Sequence, residues 1–325
     1  MIPDSLFIEA SKRIKPYIQK TPLTFDPELN LYLKWENHQT TGSFKLRGAL
    51  NKILSLQDWE RERGIVTASA GNHGQGVAMA ASIVNAQVTV FASEHAVPTK
   101  LDAMRARGAK IILVPGGYGD AEQAGIKFAR ENQSTWISPY NDEIVIAGAG
   151  TLALEIMEDL PESLDMSWIV PVGGGGLISG IGAVVKEHAS MQPGANSSSF
   201  SKPKVIGVQP EASAFMHAIF KKGDQSNTED LPTLADGLSG PVEAQSITIP
   251  MVQKYVDDII TVSEIEIEQA IAFAWKKYGE VIEGSAAVTL AAVNNRYIKD
   301  KPAVIILSGG NIQNETFSKI VETWE

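Results

Sequence analysis

Short apolar runs alternate with helix-compatible segments along most of this chain, and a chain patterned in this way has few ways to fold. Ile65-Val66-Thr67-Ala68 precedes a Gly/Ala-rich helix, Gln87-Val88-Thr89-Val90-Phe91 precedes a helix over 98–107, and Lys110-Ile111-Ile112-Leu113-Val114 precedes one over 119–131. After Pro139-Tyr140-Asn141-Asp142 the pattern resumes with a helix over 149–160, the run Trp168-Ile169-Val170-Pro171-Val172, four glycines and a helix from Leu177. Later strands are expected at Lys204–Val208, Asp258–Val262 and Ala303–Leu307. Each is apolar throughout, as strands covered on both faces tend to be. Strand, helix and strand joined by right-handed crossovers give a parallel sheet. An amphipathic helix over 5–19 and an alternating strand, Leu31-Tyr32-Leu33-Lys34-Trp35-Glu36, come before this series. The expectation is an α/β fold of two domains, each an open, mostly parallel twisted sheet flanked by helices. Residues 1–50 and 142–325 would form the larger domain and 51–141 the smaller. The small polar residues at 192–203 read as a surface loop.

Composition narrows the function. The 325 residues are 44% hydrophobic and 20% charged, as in an ordinary globular protein. With 28 basic and 38 acidic residues the net charge is -10, and there is no basic block, which argues against nucleic acid or an anionic membrane surface as partner. The absence of cysteine removes disulfides, thiolate metal sites and a cysteine nucleophile together. No apolar run reaches the ~20 residues needed to span a bilayer. Met1-Ile2-Pro3-Asp4 does not open a secretory signal, so a cytoplasmic location is expected.

Thr40-Thr41-Gly42-Ser43-Phe44-Lys45-Leu46-Arg47-Gly48-Ala49 sets a lysine among small and apolar residues at the start of a helix, with Ser43 the expected N-cap. The partial positive charge of a helix start and partial burial both disfavour the ammonium, lowering the pKa of Lys45. A neutral amine is what Schiff-base chemistry needs.

Val172-Gly173-Gly174-Gly175-Gly176-Leu177 leaves backbone N–H groups open between a strand and a helix, a place for an anion such as a phosphate. It lacks the lysine of a Walker A loop and the glycine spacing of a dinucleotide fingerprint, and the following strand ends at Val208-Gln209, without an acid for a ribose. A merely flexible turn is the alternative. Ser69-Ala70-Gly71-Asn72-His73-Gly74-Gln75-Gly76 likewise opens a helix after a strand and suits a carboxylate, with Asn72 able to donate to it. His73 is either a proton carrier or a structural donor. Ser308 follows the last strand, where ligands of open α/β sheets bind, though an ST-turn or a helix cap would also use it.

With Lys45, the Ser69–Gly76 loop, the tetraglycine and Ser308 in this order, the sequence resembles the pyridoxal-phosphate enzymes of the tryptophan-synthase β fold (fold type II). It is most similar to the serine/threonine dehydratase branch, which includes serine racemase. The resemblance covers nearly the whole chain. It implies pyridoxal 5'-phosphate as cofactor, with Phe44 and Lys45 carrying the cofactor-binding lysine, Asn72 on the ring hydroxyl, Gly173, Gly174, Gly175, Gly176 and Leu177 at the phosphate, and Ser308 facing the pyridine nitrogen. Asp236-Gly237-Leu238 and Glu283-Gly284-Ser285 look like further turns lining the cofactor ring, which brings Gly237 and Glu283 into the site; ordinary loop chemistry is the alternative. Ser69, Ala70, Gly71, Asn72, His73 and Tyr140 would meet an amino-acid substrate. The implied reaction is β-elimination from a 3-hydroxy amino acid such as L-threonine or L-serine, giving a 2-oxo acid and ammonia. Relatives suggest a homodimer.

The cysteine-synthase group usually has an aspartate after its lysine and Thr-Gly after the Ser-Gly-Asn, where this chain reads Lys45-Leu46-Arg47 and Asn72-His73-Gly74. A β-replacement synthase, a racemase, and a dehydratase for a bulkier 3-hydroxy amino acid are the alternatives. Racemases of the branch carry a serine where this chain has Ala70. Their divalent-cation ligands fall at Gln209 and Phe215, so no metal is expected. The C-terminal regulatory domain of biosynthetic threonine dehydratases is not expected either, because the chain ends soon after Gly310-Asn311.

Overall fold

The computed structural model describes residues 2–160, 166–190, 203–299 and 302–324. The run 192–203 expected as a loop lies outside them except for residue 203. Among the described residues ten strands form two sheets: β1 (Leu23–Asp26), β2 (Leu31–Trp35), β3 (Ile65–Ala68), β4 (Val88–Ser93), β5 (Lys110–Val114), β6 (Thr135–Trp136), β7 (Ser167–Pro171), β8 (Lys204–Pro210), β9 (Asp258–Val262) and β10 (Ala303–Leu307). The six-stranded sheet runs β1-β2-β10-β7-β8-β9 and the four-stranded one β5-β4-β3-β6. Every pairing is parallel except β1 with β2.

Each sheet is covered on both faces. Helices Asp4–Ile14, Glu143–Asp159, Gly176–Ser190 and Thr248–Tyr255 pack on one face of the larger sheet, where Trp168, Val170, Val304 and Ile306 are fully buried. Helices Glu264–Tyr278 and Gly284–Asn294 cover the other, over Leu33, Ile169, Ile305 and Leu307. Helices Lys45–Ser55 and Asn72–Ile83 cover one face of the smaller sheet, and Tyr118–Glu131 the other. Covered faces explain the apolar runs, but only for central strands. At the sheet edges β5 has no fully buried residue and β9 has two, so these strands are not covered throughout as expected.

Other boundaries shift for local reasons. The first helix stops at Ile14 rather than 19: Lys15 keeps helical backbone, but Pro16 has no N–H with which to continue the ladder. Its later counterpart starts at Glu143 rather than 149 because the Asp142 side chain accepts hydrogen bonds from the Ile144 and Val145 N–H groups at 2.8 and 3.1 Å. The strands β1 and β6 are too short to show in the pattern.

Helix Glu143–Asp159 is the strut between the two halves, and it crosses helix Lys45–Ser55 backbone to backbone. A Cβ on Gly148 would lie 2.5 Å from the Arg47 carbonyl and 2.8 Å from Gly48 Cα. Replacing Gly148 with valine should therefore force these helices apart and lower the unfolding free energy by about 1–3 kcal/mol in urea titrations. Gly119→Ala, at an open position of helix Tyr118–Glu131 where a Cβ meets nothing within 4 Å, should leave it unchanged or slightly raised.

Candidate active site

The site forms where strand ends of both sheets meet. From β2 the chain turns through residues 36–44 and enters helix Lys45–Ser55 at Lys45 itself. Ser43 does not cap it: the N-cap is Phe44 in helical conformation, and the Ser43 hydroxyl is buried without a partner. Ser43 is instead tied by a backbone bridge to Gly309, and the Phe44 N–H donates to the Ser308 carbonyl at 3.0 Å. The turn carrying Lys45 is thus stitched to the tip of β10, and Ser308, 3% exposed, is held beside it. Ser308 is not a helix cap, since the next helix starts at Asn314 behind Gln313.

The Lys45 amine donates to the Pro139 carbonyl at 3.0 Å and lies 5.2 Å from the Phe44 ring centre. Burial pulls its pKa down to about 8, against the opposing charge of Glu283. The direction is the one expected, and burial is its main cause. A small pocket beside it is lined by Phe44, His73, Pro139, Gly176 and Leu177 and closed behind by Gly48, Val145, Ile146 and Ala149 of the crossing helices.

The tetraglycine follows β7, and Gly176 opens helix Gly176–Ser190, whose first N–H groups have no intrahelical acceptor. The turn excludes side chains. A Cβ on Gly174 would sit 2.6 Å from the Tyr140 ring, and Gly175 has a φ of +88°. The Gly174 carbonyl accepts from the Thr248 hydroxyl at 2.7 Å, a support that sequence reading did not identify. Gly237 lies alongside: a Cβ on Gly173 would be 3.3 Å from its carbonyl, and its own N–H donates to Ser285 Oγ at 3.0 Å.

From the smaller sheet, β3 delivers Ser69, Ala70 and Gly71 to the N-terminus of helix Asn72–Ile83. Ser69 Oγ accepts from the Gly71 N–H at 3.1 Å. The Asn72 amide group donates to Glu283 at 2.7 Å and its Oδ1 accepts from Asn311 at 2.7 Å, so part of its donor capacity is already used. Burial, reinforced by Asp236, pushes the Glu283 carboxyl up to about 7, with Lys100 and Asn72 opposing. His73 is buried, and the resulting desolvation together with the Lys45 charge takes its pKa down to about 3, which leaves it neutral. Its Nε2 faces the Ile137 carbonyl at 3.3 Å. Tyr140 presses on the glycine turn while its hydroxyl accepts from the Glu243 N–H at 3.0 Å. Gln209, at one expected metal position, accepts the His217 N–H at 2.7 Å, and Phe215 at the other is buried.

The structure therefore brings Lys45, His73, Tyr140 and the glycine turn to one cleft, with Asn72, Glu283 and Ser308 joined to it through the hydrogen bonds above. Pro139, Thr248 and Asn311 were not singled out from the sequence; nothing local marks a residue whose partner is distant in the chain. The arrangement fits pyridoxal phosphate: unpaired N–H groups at a helix start suit a phosphate, and a buried amine of lowered pKa suits a carbonyl carbon.

The sequence model of the family described as pyridoxal-phosphate dependent enzyme matches residues 14–309. An L-threonine ammonia-lyase of Thermotoga maritima is 41% identical over 320 residues, 96% of this chain and 76% of that protein. A catabolic L-threonine dehydratase of Staphylococcus aureus is 38% identical over 326 residues, 97% of this chain and 90% of that one. The solved structure of maize serine racemase superposes with a TM-score of 0.87 at 29% identity, covering 98% of this chain and 96% of that one. With the sequence match, the two-sheet topology and the buried amine in agreement, this chain belongs to the pyridoxal-phosphate dependent enzymes of fold type II, and pyridoxal 5'-phosphate is its cofactor.

Proposed function

We propose that the protein is an ammonia-lyase that converts a neutral 3-hydroxy amino acid, L-threonine or L-serine, to a 2-oxo acid and ammonia. The observation that carries this reading is the Lys45 amine, buried and brought near neutrality at the mouth of two helix N-termini. The similarity to threonine ammonia-lyases over almost the whole chain supports it.

Gly173–Gly176 would hold the cofactor phosphate, Asn72 its ring hydroxyl, Ser308 its ring nitrogen and Lys45 its carbonyl carbon. When bound, the cofactor supplies the electron sink that lets the α-proton leave. The start of helix Asn72–Ile83, with Ser69, receives the substrate carboxylate. Lys45 Nζ, free of a proton above its pKa, takes the α-proton on the face of the substrate it occupies. His73 stays neutral beside it. A hydroxyl at Ser308 places no fixed charge at the ring nitrogen, which shortens the life of a carbanion and favours prompt loss of the β-hydroxyl. Ala70 offers no proton donor on the opposite face, and this argues for elimination over racemisation. We also take 1–50 with 142–325 and 51–141 as the two domains, supported by the division between the sheets. The homodimer and the cytoplasmic location rest on the resemblance.

Lys45→Ala should abolish the visible absorption of the bound cofactor and reduce 2-oxo acid formation from L-threonine and L-serine by at least ~10²-fold. Cofactor absorption without 2-oxo acid from any 3-hydroxy amino acid in the wild type would overturn the lyase assignment.

The amine also leaves a mark on stability. An unfolded lysine titrates near ~10.4, so in the cofactor-free protein burial of Lys45 costs stability in full below about pH 8 and the cost fades as pH rises towards the unfolded value. Lys45→Met should raise the unfolding free energy of the cofactor-free protein by about 3 kcal/mol at pH 7, a gain that shrinks towards zero above pH ~10 in denaturant titrations.

A further inference from the structure

The amine's acceptor belongs to the other half of the molecule from Lys45 itself, which raises the question of what holds it. Residues 137–141 connect β6 to helix Glu143–Asp159. The β3–β6 ladder is short: Ile65 pairs with Thr135 and Val66 with Trp136, and the Ile137 N–H then donates to the Val66 carbonyl at 2.8 Å. The Ile137 carbonyl is taken by side chains. Thr67, in the middle of β3 and fully buried, donates its hydroxyl there at 2.8 Å, and His73 Nε2 approaches at 3.3 Å. Two residues later the Pro139 carbonyl accepts the Lys45 amine. Between them Ser138 Oγ accepts from the Asn141 N–H at 3.0 Å, closing the turn.

A buried threonine hydroxyl is costly to leave unpaired, and a strand's own ladder does not need it. Here it closes the ladder and redirects the chain. With the Ile137 carbonyl gripped from both sides, the next carbonyl that can reach the cleft is fixed in direction. An amine that donates one N–H to a fixed carbonyl loses its free rotation about Cε–Nζ, and its lone pair takes a defined direction. We propose that Thr67 and His73 are positioning residues which, through the Ile137 carbonyl, hold the Pro139 carbonyl against the Lys45 amine and thereby orient it for proton transfer.

The proposal rests on the lyase reading for its kinetic consequence and on the structure alone for its placement. The groups that bear on the amine's charge are Glu283, which favours the ammonium, and His73, which is neutral. Of the charges on the elements packed against Lys45–Ser55, Glu155 pairs with Arg47 and Lys34, Asp142 with Lys52, Asp159 with Lys20, and Arg13 donates to the Asn51 side chain.

The test is Thr67→Val, which keeps the shape and removes the hydroxyl, alongside Thr67→Ser, which restores it. In the holoenzyme Thr67→Val should lower kcat about tenfold with KM within twofold of wild type, and Thr67→Ser should recover most of the loss. In the cofactor-free protein the Lys45 ammonium, followed by 13C NMR of labelled lysine side chains, should titrate at a lower pH in Thr67→Val, because the carbonyl that favours the charged form is released. The same direction is expected for the acid limb of kcat, which reports the amine once substrate has freed it from the cofactor. Should Thr67→Val fail to fold, His73→Leu against His73→Gln gives the same comparison, since the glutamine amide can still donate. A folded Thr67→Val with unchanged kcat and an unchanged Lys45 titration overturns the proposal. A wild type that forms no 2-oxo acid overturns the lyase reading instead, and the NMR titration then decides the placement by itself.

Discussion

Everything at the cleft depends on where helix Lys45–Ser55 begins, and that is fixed by four charges buried beneath it. Lys34 and Glu36, two residues apart and therefore on one side of β2 and its extension, point at the helix together. Arg47 donates to both Glu36 oxygens at 2.8 Å and to both Glu155 oxygens at 3.0 and 3.1 Å. Lys34 donates to Glu155 at 2.6 Å and to the Thr21 carbonyl at 2.8 Å, and the Thr21 hydroxyl donates to Glu36. Lys34, Glu36 and Arg47 are fully buried. Burial alone would loosen the proton on Arg47, but the two carboxylates raise its pKa above the ordinary arginine value. Such a cluster adds little net stability, because desolvation offsets attraction, whereas deleting one member strands a buried charge. Its effect is specification. Arg47 is two residues from Lys45, and its planar fork accepts only one placement of two carboxylates drawn from β2's end and helix Glu143–Asp159.

That placement brings the two sheets into register across the cleft. The Asn72 amide reaches from the smaller half to Glu283 in the larger, and Asn311 braces it while donating to the Thr41 carbonyl at 2.9 Å. At the rim, Lys100 meets Asp236 at 2.8 Å, with Asp236 largely exposed. These contacts differ in weight. An exposed ion pair is worth well under about 1 kcal/mol, while the Asn72–Glu283–Asn311 chain is desolvated, and the loss of any member leaves a polar group unpaired. The inner contacts set the relative position of the halves, and the rim pair adjusts it.

How much of this was legible in the sequence follows from how far each signal travels along the chain. The strands β3 and β10 were read to the residue because covered strands are apolar runs bounded by turn residues; β5 and β9 were read to the residue from runs of the same kind although, as edge strands, they are only partly covered, and the glycine turn and the lysine were read from their own neighbours. The alternation of Lys34 and Glu36 with Leu33 and Trp35 marked a strand, but nothing local in it shows on which faces the strand is covered. The face of Lys34 and Glu36 is buried, and its charges are matched by Arg47 and Glu155, the latter 108 residues further on than Arg47. Ser43 looked like a cap because serine before a helix usually is one; the competing interaction is a backbone bridge to Gly309, which no local pattern encodes. Pro139, Asn311 and Thr248 were invisible for the same reason.

Burial acts on the acid and the base of this cleft in opposite senses, and the outcome bears on how the site receives its ligands. Desolvation lifts the Glu283 carboxyl to about 7 and lowers the Lys45 amine to about 8, so two groups that are normally far apart in pKa titrate side by side. Below about pH 7 the pair carries a net positive charge; above about pH 8 it is negative. The carboxylate of a zwitterionic amino acid and the phosphate of the cofactor both bring negative charge to helix N-termini, where a positive or neutral pair receives it better, while proton abstraction requires the amine to have lost its proton. Receiving the ligands and abstracting a proton thus draw on opposite charge states of the same buried pair. Deep burial is the main cause of both shifts, and it follows from the same packing that fixes helix Lys45–Ser55.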